Sequence, residues 1–143
     1  MTLAILDALE GKNDSALRKA EHAVSISHDA FFMTFYAYVQ ATAGRPAEAR
    51  KVLNDLITGK YGEYVSPVNI AQVQFALGEK EAGFESLEKG YLERSAGIVM
   101  EYNWPIFDSA RDDPRFKEIV RRLNLSLSRM ASKSPLDPSA DQV

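Results

Sequence analysis

Ala37-x-x-Gln40-x-x-x-Gly44 returns 34 residues later as Ala71-x-x-Gln74-x-x-x-Gly78, and this echo decides how the chain is read. It continues past each glycine: Ala49 becomes Gly83, Leu53 becomes Leu87 and Leu56 becomes Gly90. A fixed period of this length marks stacked helical hairpins, each too small to bury its apolar face without a neighbour. Stacks of this kind build surfaces that bind other molecules.

Around the first copy, Asp29 is an N-cap for an apolar, aromatic helix over residues 30–43, which Gly44 stops. Pro46 then suits a first helical turn, and Ala49, Val52, Leu53, Leu56 and Ile57 recur at helical spacing along 46–58. The second copy opens at Ser66-Pro67, runs to about Leu77 and ends at Gly78. Its partner helix spans about Lys80 to Glu93, with Phe84, Leu87 and Tyr91 on one face and Glu85–Lys89 as an i,i+4 ion pair. Gly83 and Gly90 lie inside this helix, each at a cost of roughly 1 kcal/mol relative to alanine. Close approach of a second helix is the expected compensation. Ala49, and Ala16, Ala20 and Ala23 further upstream, keep small side chains in the same register.

Upstream, Ala4, Gly11, Ala16 and Ala20 form an abbreviated unit whose first helix spans only about Thr2 to Leu9. Downstream of Arg94 the period fades. Ser95 to Met100 begins another helix, and Tyr102, Trp104, Ile106 and Phe107 cluster around Pro105. Asp113-Pro114 starts a closing helix over 114–124, with Phe116, Ile119, Val120 and Leu123 at helical spacing. The organisation expected is a helical repeat domain over 1–125, comprising a partial repeat at 1–28, repeats at 30–62 and 64–95, and a closing region at 96–125. Residues 126–143, rich in serine and proline with no sustained apolar pattern, read as a disordered tail.

Composition fits a folded domain with a real core: 45% hydrophobic and 26% charged residues, net charge −3. No basic stripe points to nucleic acid. The absence of cysteine removes disulfides, thiolate metal sites and a cysteine nucleophile. No apolar run is long enough for a bilayer and no basic segment precedes the short apolar start, so no membrane partner and a cytoplasmic location are expected.

These residues resemble the tetratricopeptide repeat family. The match lies in Ala37, Gly44, Ala49 and Leu53, then Ala71, Gly78, Gly83 and Leu87, with Ala4, Gly11, Ala16 and Ala20 as a weaker copy. Ala76 to Ser95, Asp113-Pro114-Arg115-Phe116 and Arg121-Arg122-Leu123 look like the last repeat and closing region of bacterial members, often attached to transcription regulators, kinases or cyclases. Met33, Gln40 and Gln74 depart from the family's usual aromatics, and Gly83 and Gly90 from its alanines. The resemblance implies an all-α fold: a right-handed α-solenoid of stacked antiparallel hairpins with a C-terminal capping helix.

It also implies a concave binding face lined by the first helix of each hairpin. By helical phase that face carries Phe31, Thr34, Tyr38, Ala41 and Thr42, then Val68, Gln72, Phe75 and Ala76, with Ile5 and Leu9 extending it. Tyr38 and Phe75 are the expected anchors for a protein or peptide; Phe32, Phe35 and Tyr36 read as core. Family members that capture a carboxylate carry basic or amide residues where Thr34, Tyr38, Val68 and Gln72 stand, so this chain does not fit that subgroup.

Other chemistry is sparse. His22 and His28 are six apart and read as solvated. Asp108, Asp112 and Asp113 near Arg111 and Arg115 read as turn and capping residues, and the glutamates at 79, 81, 85, 88 and 93 as a solvated face. Trp104 reads as part of the cap over the last hairpin rather than a contact patch. No phosphate loop, nucleophile elbow, metal set or cofactor motif is present. The function expected is a non-catalytic protein- or peptide-binding scaffold. The alternatives are a homo-oligomer formed through the incomplete N-terminal end, or a regulatory module of a larger regulator, kinase or cyclase.

Overall fold

The computed structural model describes residues 1–62 and 64–125. The expected tail at 126–143 falls outside the described residues. What is described is all-helical: α1 (Thr2–Leu9), α2 (Asn13–Ile26), α3 (Ala30–Thr42), α4 (Pro46–Ile57), α5 (Pro67–Ala76), α6 (Lys80–Leu92), α7 (Ala96–Glu101) and α8 (Pro114–Arg122), with a 3-10 turn at Pro105–Phe107. None of these helices is long and apolar enough to cross a membrane.

Local chemistry sets the helix ends. The Asp29 carboxylate accepts from the backbone N–H of Phe32, Ser66 Oγ from that of Val68, and Asp113 from that of Arg115. Gly44 and Gly78 stop α3 and α5 at φ +79° and +75°, a left-handed conformation that glycine adopts without strain. The chain then turns back: Arg45 N–H reaches Gln40 O and Glu79 N–H reaches Gln74 O, both at the same place in the repeat.

α1 packs on α2, α3 on α4 and α5 on α6, and α1, α3, α5 and α7 also touch in series. Small residues permit the close pairing. Ala16, Ala20 and Ala49 have no exposed surface. Gly83 and Gly90 face α5 so closely that a Cβ on Gly83 would lie 2.6 Å from the Phe75 ring, and one on Gly90 2.7 Å from Val68 Cγ2. The compensation expected for the two helix glycines is therefore close approach to α5.

Contacts between hairpins repeat the 34-residue step. Arg115 of α8 makes a two-pronged bridge to Glu81 of α6 at 2.8 and 3.2 Å while lying over the Phe84 ring at 4.0 Å. One period fragment further along the same helices, Arg122 bridges Glu88 at 2.9 and 2.5 Å over the Tyr91 ring at 4.3 Å. Both bridges join residues 34 apart and hold α8 against α6. The glutamates are not merely a solvated face: Glu79 also accepts from Arg50, and Glu93 from the Tyr64 hydroxyl. Lys89 pairs with Glu93 rather than Glu85.

The Asp113 cap also ties α8 to α6 through Lys80 Nζ at 2.9 Å. The Arg115 and Lys80 side chains and the Arg115 N–H hold its carboxyl well below its ordinary value of 3.8. A depressed acid contributes stability that is present above its ordinary pKa and lost as the solution is acidified beneath it. Thermal melts of the native chain and Asp113→Asn from pH 7 downward should therefore show a gap that narrows below about pH 4. A gap independent of pH would remove the charge from this account.

The echo fails at one buried pair. Gln74 Oε1 accepts from Ser86 Oγ at 2.6 Å. The residue 34 before Ser86 is Val52, so Gln40, the counterpart of Gln74, has no such donor. Its side chain is fully buried, with no well-formed hydrogen bond at either Oε1 or Nε2 and only a weak contact with the Tyr36 hydroxyl one turn earlier. A buried amide without well-formed hydrogen bonds is costly, and methionine has nearly its shape. Gln40→Met should raise the unfolding free energy by about 1–2 kcal/mol in urea titration. A loss of stability would show that the amide is satisfied.

Candidate functional site

The predicted concave face is largely closed. Thr34, Val68 and Gln72 have no exposed surface, Tyr38 is 4% and Phe75 6% exposed, and Thr42 is half-buried. Phe31, at 54%, and Leu9, at 40%, are the exposed members of the predicted set. The reason is visible in α5. Val68 and Phe75 are seven residues apart and share a side, and that side is pressed on Gly90 and Gly83 of α6. Phase along one helix located a stripe but not which neighbour covers it. Phe75 is core, with its ring 5.0 Å from Phe84 and 6.2 Å from Phe107. Tyr38 is also core: burial, with the Asp108 carboxylate adding to it, pushes its phenol up to about 12. Thr34 Oγ1 is turned back onto Ala30 O.

Gln72 joins α5 to α7 instead of reaching solvent: its Nε2 donates to Glu101 Oε2. Burial pushes the Glu101 carboxyl above its ordinary value, against that hydrogen bond. His22 and His28 are exposed, and among the described residues no three histidine or acidic side chains gather as a metal site would require.

Two open clefts flank the buried aromatics. One, of about 680 Å³, lies between α6 and α8 and is crossed by the Arg115–Glu81 and Arg122–Glu88 bridges. Glu81, Glu88, Arg115 and Arg122 are thus committed to holding the two helices together. The other, of about 580 Å³, lies where the chain leaves α7, and is lined by Met100, Asn103, Trp104, Asp108, Arg111 and Asp112 among others.

The second cleft is built by a short stretch of sequence. Pro105 keeps Trp104 extended, at φ −69° and ψ 144°. The next residues dive inward: Ile106 and Phe107 are buried, and the Phe107 ring lies 5.7 Å from Phe116 of α8. Anchoring the turn from that side leaves Trp104 43% exposed beside Met100 at 75%. This corrects the reading of Trp104 as a cap; Ile106 and Phe107 fill that role. Arg111 then fastens the turn from outside. Its guanidinium donates to Tyr102 O at 3.1 Å, Trp104 O at 3.0 Å and Asp108 Oδ1 at 3.0 Å. Asn103 Oδ1 is buried with no hydrogen-bond partner, and Asp112, though exposed, forms no ion pair among the described residues.

The sequence contained the signal for this site. The run Tyr102 to Phe107 gathers three aromatics and an isoleucine around a proline, and only the burial of Ile106 and Phe107 determines which aromatic is left outside. Compared with family models, curated proteins and solved structures, the chain matches none of them.

Proposed function

We propose that this chain is a non-catalytic module that binds a protein or peptide, built as a right-handed solenoid of tetratricopeptide-like hairpins closed by α8. The pairing of consecutive helices and the bridges between residues 34 apart support the architecture. The observation that carries the function is the cleft at residues 100–112, where the chain's sole tryptophan stands nearly half-exposed beside Met100 on a turn held rigid by Arg111. A rigid aromatic that projects from a well-fixed turn loses little conformational freedom on binding, which makes it a good anchor. The binding surface is thus moved from Tyr38 and Phe75 to Trp104.

Selection of random twelve-residue peptides on the immobilised full-length chain tests this. Binders should lose at least ten-fold in affinity to Trp104→Ala while its helical circular dichroism is retained. Selection that yields no binder, or binders indifferent to this change, overturns the proposal.

A second reading rests on a different surface. Leu3, Leu6 and Leu9 of α1 are 64, 49 and 40% exposed, an apolar stripe of the kind that a second copy of the chain would cover. Light scattering from micromolar to millimolar protein would show a rising mass, abolished by Leu6→Glu; constant monomer mass ends this reading.

A further inference from the structure

We infer that the cleft at residues 100–112 receives a lysine or arginine side chain of the bound peptide, an assignment that rests on reading the chain as a peptide-binding module. The cleft offers exposed carboxylates beside apolar surface, and the one cation in its lining is already engaged. Asp112 is exposed and forms no ion pair among the described residues. Asp108 is 66% exposed at its side chain and engages Arg111 through Oδ1. Trp104 and Met100 supply the apolar part of the lining.

Three ligand chemistries compete for such a cleft. An anion would find a single cation there, Arg111, whose side chain is only 19% exposed and which already serves two carbonyls and Asp108. The anion would also meet the carboxylates of Asp108 and Asp112. A purely apolar side chain would cover Trp104 and Met100 but begin to desolvate the Asp112 carboxylate without pairing it, which is unfavourable. A long cationic side chain meets both the apolar wall and the carboxylates. Its methylene stem lies on the thioether and indole, its charge is attracted by the tryptophan face, and its N–H donors suit the two carboxylates. The chain's net charge of −3 favours approach of such a ligand at low salt.

The peptides selected on the full-length chain provide the test. Those that depend on Trp104 should carry lysine or arginine at a fixed position, and exchanging that residue for norleucine or citrulline should weaken binding at least ten-fold. Binding should shift the emission of Trp104, the chain's one tryptophan. Asp112→Asn, at an exposed position without ion pairs among the described residues, should weaken binding several-fold and reduce its salt dependence with the melting temperature unchanged. Trp104-dependent peptides that have no basic residue, or that keep their affinity as norleucine variants, overturn this inference and leave the module reading in place. Absence of any Trp104-dependent peptide overturns both.

Discussion

Phe107→Ala is expected to destabilise the chain by about 3–5 kcal/mol, the range for removing a fully buried aromatic ring. Phe107 is 1% exposed. Its ring joins three parts of the sequence: Phe75 of α5 at 6.2 Å, Phe116 of α8 at 5.7 Å, and the 3-10 turn that carries it. The surrounding core of Leu87, Ile98, Tyr102, Ile119 and Val120 leaves almost no free space, so the cavity cannot be filled by a small shift of one neighbour. The loss is a large fraction of the roughly 5–15 kcal/mol that holds a typical domain together. Urea denaturation followed by circular dichroism measures it, and a loss under 1 kcal/mol would show that the turn is not anchored through this ring. The same substitution should abolish Trp104-dependent peptide binding at urea concentrations where the rest of the chain is still helical. Trp104 is positioned only because the residues after Pro105 are buried.

Much of the helical layout was legible because its signals are local. Asp29, Ser66 and Asp113 each cap the helix that follows them, and Gly44 and Gly78 adopt the left-handed turn that the echo required. α1 spans the eight residues that the abbreviated first unit allowed. The ties between hairpins were present in the sequence as a spacing, Glu81 to Arg115 and Glu88 to Arg122, but opposite charges 34 apart carry meaning only once the period is extended past Arg94. The apolar echo fades there because α7 has six residues and a proline-led turn replaces the rest of its helix.

The burial of the predicted concave face has a different cause. Helical phase groups residues 68, 72 and 75 on one stripe, and a stripe has no label saying whether solvent or another helix faces it. Two glycines held that label. Gly83 and Gly90 are as far apart as Val68 and Phe75, and a helix that tolerates two glycines requires large partners opposite them. Considering the glycines and the large residues of α5 together would have placed Phe75 in the core. Surface exposure at Trp104 has no comparable signal, because it depends on Phe107 reaching α5 and α8.

Gly83→Ala should therefore reverse the usual effect of replacing a helical glycine. On an open helix surface the change stabilises by about 1 kcal/mol. Here the new methyl would stand 2.6, 2.7 and 2.9 Å from Cε1, Cδ1 and Cζ of Phe75. The ring has little room to retreat, with Phe84 at 5.0 Å on one side and Phe107 at 6.2 Å on another. Overpacking of a filled core costs about 1–3 kcal/mol and, against so rigid a group, should exceed the gain in propensity. A net loss of about 1–2 kcal/mol is expected by urea titration. Gly90→Ala should cost less, since its closest clash is with one methyl of Val68, and the next contacts are ordinary at 3.5 Å. A double-mutant cycle isolates the cause: Phe75→Leu, destabilising by itself, should be far less affected by Gly83→Ala than the native chain is, with a coupling of about 1 kcal/mol or more. Stabilisation by Gly83→Ala, or additivity in the cycle, would mean that α5 and α6 are farther apart than the Phe75–Gly83 contact requires.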